Sequence, residues 1–321
     1  MKLYAFFVIA LQLTGIYVTA QPKQGKARLD SLIGEAPRIH DDSDGVRLLY
    51  AISFGYLNIA PEEVLQWANK ELDLAKKISW HRGEAFAYCN IGQYYNDRGN
   101  YDKALETLVR ARKIFHEIGD NRKEAEALLP IGNIYLYKKN YQTALEYYSN
   151  SLKFAVSIQD MEWQQTALSN IGNVYAGWAK PDKALEYMKK ALKIAVSQND
   201  IAGIMLQLAN IGGTYADMRQ FPKAIAYEFK ALRLAEQLGE KQSAAIYRGN
   251  IGSNYFYIAK FNTYEADSLV SSNRFGNLSK GIEFLNNSIT DCRKLQYKRG
   301  IEAFTGVLDK ANAFKKTINK K

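Results

Sequence analysis

Apolar and polar residues follow one another along most of this chain in the three- and four-residue steps of a helix with one buried face. The segment from Pro181 to Gln198 shows the pattern clearly, because lysines and other polar residues separate its apolar positions. Those apolar positions are Ala184, Leu185, Met188, Ala191, Leu192 and Ala195. A stripe of this kind predicts an amphipathic α-helix that packs against a neighbouring helix.

The pattern returns at a spacing of forty residues. Each repeat carries a glycine in its first half, usually after Asn-Ile, and a tyrosine three residues later. The glycines are Gly92, Gly132, Gly172, Gly212 and Gly252, and the tyrosines are Tyr95, Tyr135, Tyr175, Tyr215 and Tyr255. A fixed period in this range is typical of stacked helical repeats. We expect two helices per repeat, A and B, with the glycine on helix A where helix B approaches closely.

About six repeats are predicted between residues 46 and 321. The first is degenerate, with helices over 46–58 and 61–78. Four regular repeats follow, roughly Arg82–Gly119, Arg122–Gln159, Glu162–Gln198 and Ile201–Leu238, with helix B beginning near Tyr101, Tyr141, Pro181 and Phe221. In the sixth, an insertion at about 262–278 precedes a helix B pattern that resumes at Ser279. This insertion is either a loop on the working face or a tolerated surface loop.

The two ends of the chain have different character. Residues 1–20 contain one basic residue and an apolar run that ends in small residues, which is typical of a secretory signal peptide. An uncleaved membrane anchor is the alternative. No cysteine follows for lipidation, and no later stretch is apolar enough to span a bilayer, so we expect an exported, periplasmic or secreted protein. A polar leader fills 21–45, where Asp44 is predicted to cap the first helix, and Gly300–Lys321 predicts a C-terminal capping helix.

Composition adds two expectations. The chain is 47% hydrophobic and 24% charged, which predicts a folded protein, and its formal net charge is +10. The lysines are spread over many helices, so solvated polar faces explain them better than a binding surface for polyanions. Cys89 and Cys292 lie about four repeats apart, too far for a disulfide, and are expected to be unpaired.

The glycine and tyrosine of helix A and the Ala-Leu pair of helix B resemble the tetratricopeptide repeat. That family has a usual period of about 34 residues, and the period here resembles its longer-helix variants. The resemblance covers nearly everything from Val46 to Thr317 and implies an all-α, right-handed superhelical solenoid of antiparallel helix pairs. Gly172 and Ala184 match the small residues at which helices A and B cross. Fold alone does not give function.

Amide side chains on helix A form the main candidate site. Peptide-binding members of the family use asparagines at such positions, so the resemblance implies a ligand held in the concave groove. The alternative is that these amides bond to neighbouring helices within the stack, because buried amides need partners in any case. The candidate amides are Asn90, Gln93, Asn133, Asn170, Asn173, Asn210 and Asn250.

Other helix A residues could complete such a site. Four aromatic residues late in helix A, or just after it, are candidates for apolar pockets, and one arginine could hold an acidic group. These residues are Tyr137, Trp178, Phe256, Tyr257 and Arg248.

The sequence contains little that predicts catalysis. Its three histidines do not form a His-Glu-x-x-His motif, and there is neither a phosphate-binding loop nor a Gly-x-Ser-x-Gly elbow. The cysteines lack metal-binding spacing. We therefore expect no enzymatic activity, no cofactor and no metal.

Three functions are compatible with these features. The first is a non-catalytic scaffold of an exported compartment that binds a protein or peptide. The second is a sensory input module of a bacterial signalling system, with a separate membrane signalling partner, and the third is an exported binder of glycans or small ligands. Nucleic acid ranks last, because no basic and aromatic strip is evident in the sequence.

Overall fold

The computed structural model describes residues 22–57, 59–261, 270 and 273–318. Every regular element within these residues is a helix, as the sequence predicts. The described chain divides into two compact units, one ending at Trp163 and the other beginning at Gln164. The predicted signal peptide and residues 262–269, 271 and 272 of the predicted insertion lie outside the described residues.

The N-terminal unit contains eight helices and the start of a ninth. The helices are α1 (Pro22–Glu35), α2 (Ser43–Tyr56), α3 (Val64–Lys77), α4 (His81–Asp97), α5 (Tyr101–Glu117), α6 (Asn121–Glu126), α7 (Leu128–Tyr137), α8 (Tyr141–Ser157) and α9 (Met161–Gly177). Short 3₁₀ turns occupy Ala36–Arg38 and Pro61–Glu63.

The C-terminal unit continues with longer helices at its end. They are α10 (Pro181–Ser197), α11 (Ile201–Asp217), α12 (Phe221–Gln237), α13 (Lys241–Phe261), α14 (Arg274–Lys294) and α15 (Lys298–Ile318). The predicted starts of helix B are confirmed at Tyr101, Tyr141, Pro181 and Phe221. Helix α14 begins at Arg274, five residues before the position at which the sequence pattern resumes.

The turns between helices are short because one residue can both end a helix and cap the next one. At the end of α8, the Asp160 amide donates to the Ala155 carbonyl, which closes a Schellman motif, and the Asp160 carboxylate then caps α9 at the Trp163 amide. The residue before it, Gln159, has a left-handed backbone with φ of 57°. Other turns also place a non-glycine residue in this conformation, at Ser79, Lys139, Ala179, Asn199, Arg219 and Gln296.

The repeated glycines permit close helix packing, as predicted. A Cβ on Gly92 would lie 2.6 Å from Leu108 Cγ, and a Cβ on Gly172 would lie 2.8 Å from Met188 Cγ. The tightest backbone approach joins α13 and α14, where a Cβ on Gly252 would lie 2.9 Å from the Gly281 carbonyl oxygen. No side chain fits between helices at such distances.

Two details near the N-terminus differ from the sequence-based expectation. The leader is helical, and Leu29 of α1 is buried against Gly55 of α2. The cap of α2 is Asp42, whose carboxylate accepts hydrogen bonds from the amides of Asp44 and Gly45. Asp44 therefore lies inside the first turn, where it pairs with Arg47.

Helix A of the third repeat is interrupted at Ala127, between α6 and α7. Pro130 explains the break, because it has no N–H to donate to the carbonyl of Glu126 four residues earlier. The apolar pattern of this repeat does not predict the interruption.

The buried residues follow the predicted stripes. In α10, Ala184, Met188, Ala191 and Ala195 are almost completely buried. In α15, Phe304 is buried against α13 at Gly249. The fold is therefore an all-α, tetratricopeptide-like array of paired helices with a final helix packed on the last pair. No helix in the described ranges has both the length and the apolar character needed to cross a membrane.

Candidate functional site

The seven candidate amides separate into two groups, and the first group has partners inside the array. Asn90 is 3% exposed and donates a hydrogen bond of 2.5 Å to Ser53 Oγ. Its amide also lies 3.5 Å from Glu71 Oε2, a buried carboxyl that accepts from the Ser53 hydroxyl as well. Burial raises the pKa of Glu71 well above its usual value. This cluster holds α2, α3 and α4 together, and Asn90 is not available to a ligand.

Three further amides of this group are also bonded. Gln93 donates to Asp97 of its own helix at 2.6 Å. Asn133 accepts from the Tyr148 hydroxyl at 2.5 Å, and Asn250 donates to Glu228 Oε1 at 3.2 Å. The bonds of Asn90, Asn133 and Asn250 join neighbouring helices of the stack, which is the alternative to ligand binding, whereas the Gln93 bond stays within α4.

The second group consists of Asn170, Asn173 and Asn210. All three are half-buried on α9 and α11 of the C-terminal unit. None of their side chains forms a hydrogen bond with another described residue, although Thr214 Oγ1 donates to the Asn210 backbone carbonyl. An amide offers two donors and an acceptor with two lone pairs, so each can still bind a polar group.

Met188 explains why two of these amides have no partner. It is the eighth residue of its helix B, the place that Tyr148 and Glu228 hold in α8 and α12. In the neighbouring repeats, Tyr148 bonds to the amide after the helix A glycine, and Glu228 bonds to the amide before Ile-Gly. By their positions in the repeat, the amides that correspond to Met188 in this way are Asn173 and Asn210. A thioether is a weak acceptor and no donor, so it satisfies neither of them.

Buried polar bonds fix the two helices that carry these amides. Gln207 of α11 donates to the Ser169 hydroxyl of α9 at 2.9 Å. Gln165 of α9 donates at 2.8 Å to Asp200, the residue that caps α11 through the Gly203 amide. The backbone that presents the three free amides is therefore held in place without using them.

The candidate aromatic residues are mostly engaged with the array. Phe256 is 1% exposed, so it cannot line an open pocket in this structure. Tyr137 stacks on Tyr101 with ring centroids 5.7 Å apart, and Tyr257 stacks on Phe221 at 5.8 Å. Both tyrosines are half-buried.

Trp178 and Arg248 also have partners. The Lys180 ammonium lies 3.3 Å from the centre of the Trp178 ring, directly after α9. Arg248 of α13 forms two ion pairs of 2.6 Å, one with Glu236 and one with Asp291. Arg248 therefore ties three consecutive helices together, and its predicted acidic partner is supplied by the protein itself.

The residues that could support chemistry are dispersed. No group of three metal-binding side chains occurs in the described part of the chain. Cys89 and Cys292 are both free, as predicted, and burial raises the pKa of the Cys89 thiol to about 12. The candidate residues that remain are hydrogen-bonding and aromatic groups on helices.

Comparison with known proteins supports the fold. Residues 83–155 and 123–195 match the family model of the tetratricopeptide repeat. No curated protein sequence matches the chain. The matched repeats and the helix pairs together define a tetratricopeptide-like helical-repeat scaffold.

Solved structures of similar fold include the following three. A signal transduction ATPase with a tetratricopeptide repeat sensor from Pyrococcus horikoshii is 19% identical with a TM-score of 0.61, and the match covers 92% of this chain and 44% of that one. The apo quorum sensor NprR from B. thuringiensis is 18% identical, with a TM-score of 0.59 and coverage of 91% and 82%. A Rap protein complexed with Competence and Sporulation Factor is 15% identical, with a TM-score of 0.52 and coverage of 94% and 100%. Identities this low establish the fold alone.

Proposed function

We propose that this protein is a non-catalytic scaffold that binds a peptide or protein segment through Asn170, Asn173 and Asn210. The observation that carries the proposal is that these three amides have no partner in the described chain while Asn90, Asn133 and Asn250 do. A polypeptide backbone alternates donors and acceptors, and an amide side chain can pair with both.

The expected contribution of this site is modest. Each amide contact contributes about 1 kcal/mol, so three of them supply about 3 kcal/mol. Micromolar binding requires about 8 kcal/mol, and apolar contacts must provide the rest. The exposed edges of Trp178 and Tyr257 are candidates for these contacts, because both side chains are only half-buried.

A displayed library of random peptides, selected on the immobilised protein, tests the site directly. Selected peptides should bind the wild-type protein and lose about 100-fold in affinity for the N170A/N173A/N210A variant, as the loss of about 3 kcal/mol requires. The control is N286A/N287A, which removes two exposed amides of α14 that lie outside the proposed site. Failure to enrich peptides, or equal binding to the triple variant, would contradict the proposal.

The compartment is a second part of the proposal. The signal-peptide pattern of residues 1–20 supports export to the periplasm or beyond. Mass spectrometry of the native protein from an envelope fraction should show an N-terminus at Gln21. A native protein that retains Met1 in the cytoplasmic fraction would exclude cleavage and export.

A sensory role is the alternative with a specific observation in its favour. Two proteins of similar fold are described as a tetratricopeptide repeat sensor and a quorum sensor. In this form of the proposal, the bound segment would control a separate membrane signalling partner. A membrane kinase encoded beside this gene would favour that role, and an isolated gene would count against it.

A further inference from the structure

The net positive charge of this protein comes from its second half. Residues 1–163 contain 20 basic and 20 acidic side chains, whereas residues 164–321 contain 23 basic and 13 acidic ones. The whole formal net charge of +10 therefore belongs to the C-terminal unit. The expectation that the lysines are simply spread over solvated faces does not account for this asymmetry.

Lysines of the C-terminal unit lie over tyrosine rings in consecutive repeats. In α10, Lys183 Nζ lies 5.4 Å from the centre of the Tyr175 ring and Lys190 Nζ lies 4.9 Å from that of Tyr187. The two tyrosines stack on each other at 5.5 Å.

The next repeats contain the same arrangement. In α12, Lys223 lies 5.7 Å from the Tyr215 ring and Lys230 lies 5.1 Å from the Tyr227 ring, and these tyrosines also stack at 5.5 Å. In α14, Lys280 lies 5.6 Å from Tyr255. We call these ten residues the Lys–Tyr ladder. They are Tyr175, Lys183, Tyr187, Lys190, Tyr215, Lys223, Tyr227, Lys230 and the pair Lys280 with Tyr255, which adds one further ring.

Most ladder lysines have no acidic partner. Within the described ranges, no Asp or Glu oxygen lies within 4.0 Å of Lys183, Lys223, Lys230 or Lys280. Lys190 is the exception, because it pairs with Glu186 at 2.6 Å. The ring faces hold the ammonium groups by cation–π attraction, which positions the charge but does not neutralise it.

We propose that the Lys–Tyr ladder is a second interaction surface that binds an acidic segment of another protein. Carboxylates would pair with the lysine ammonium groups. The hydroxyls of Tyr175, Tyr187, Tyr215 and Tyr227 form no hydrogen bond with another described residue and can donate to the same carboxylates. This surface differs from the amide site, since it uses helix B lysines and needs none of the three asparagines.

Two other anionic partners fit the surface less well. Single-stranded nucleic acid binds by stacking bases on open aromatic faces, but the ladder faces are already covered by a lysine or by a second tyrosine. Peripheral binding to a membrane gains much of its strength from exposed apolar side chains that enter the interface. The exposed large apolar residues of this unit, such as Val196, Leu238 and Leu295, lie at helix ends rather than in the ladder.

Fluorescence anisotropy with a labelled peptide of five Glu-Gly-Ser repeats tests the proposal on the full chain. The peptide should bind the wild-type protein at low salt and weaken steeply as the salt concentration rises, because exposed ion pairs are screened. The K183Q/K223Q/K230Q variant should bind about tenfold more weakly, as three exposed ion pairs predict. The N170A/N173A/N210A variant should bind the acidic peptide normally, which separates this surface from the amide site.

A charge-matched control separates the ladder from bulk charge. The K298Q/K310Q/K316Q variant removes three exposed lysines of α15 in the same unit and should change the affinity less than twofold. An equal loss in both triple variants, or unchanged binding of the ladder variant, would overturn the proposal. So would tighter ladder-dependent binding of a single-stranded oligonucleotide or of phosphatidylserine vesicles than of the acidic peptide.

Discussion

Glu228 is a carboxyl group enclosed between helices, and replacing it with glutamine should stabilise the protein at neutral pH. Glu228 is 1% exposed, and its Oε1 accepts a hydrogen bond from Asn250. Its Oε2 is buried and has no hydrogen-bond partner. Tyr247 of α13 also lies near the carboxyl. Its burial, and to a smaller extent the negative charge of Glu228, raise the pKa of the Tyr247 phenol, so the phenol stays neutral.

The magnitude follows from the pKa of the carboxyl. Burial raises the pKa of Glu228 from 4.5 to about 8, against a smaller lowering effect of the Asn250 hydrogen bond. Between these two values, the folded protein keeps a proton that the unfolded chain has released, so the free energy of unfolding falls as pH rises. Each pH unit corresponds to about 1.36 kcal/mol, which gives a loss of about 3 kcal/mol at pH 7 and a plateau above pH 8.

Urea unfolding at pH 4.5 to 9 measures this effect. Glutamine keeps the acceptor for Asn250 but cannot ionise, so E228Q should match the wild-type protein near pH 4.5 and be more stable by about 3 kcal/mol at pH 7. The control E283Q changes an exposed glutamate of α14 and should leave the wild-type pH profile unaltered. A stability difference between E228Q and the wild-type protein that stays constant across this range would refute the reasoning.

Further substitutions test the packing and the site. G252A should lower the free energy of unfolding by about 1–3 kcal/mol, because its Cβ would meet the backbone of α14. G306A should be tolerated, because a Cβ at Gly306 would have no atom within 4 Å. Thermal or urea unfolding measures both variants, and equal stability of the two would contradict the packing argument. M188Y should give Asn173 the internal partner that Asn133 has in its own repeat, and so weaken library-selected peptides by about fivefold. Unchanged peptide affinity, measured by calorimetric titration, would show that Asn173 does not contact the ligand.

The sequence was sufficient to predict most of the helices, because their main determinants are local. Apolar stripes and glycines recur at fixed positions, so the starts of helices such as α10 and α12 could be read directly. Helix α1 was missed, although Leu29, Leu32 and Ile33 have helical spacing in an otherwise polar leader. The break at Ala127 was signalled only by Pro130.

The candidate site could be predicted only in part, because whether an amide side chain has a hydrogen-bond partner inside the stack depends on the residue opposite it. Asn210 and Asn250 occupy equivalent places in helix A and look alike in the sequence. Asn250 bonds to Glu228, whereas the residue at the equivalent position for Asn210 is Met188, and Glu228 and Met188 lie in separate helices. The charge asymmetry was visible in the sequence, but only after the boundary at residue 164 divided the chain.

The left-handed turn residues offer a practical route to a more robust protein. A residue with a Cβ is less favourable than glycine in this conformation by roughly 1 kcal/mol. Gly99, Gly119 and Gly239 already occupy such turns, whereas Lys139, Ala179 and five others do not. Glycine at several of these sites should give a heat-tolerant form suited to crystallisation, and both proposed binding surfaces would keep their native side chains.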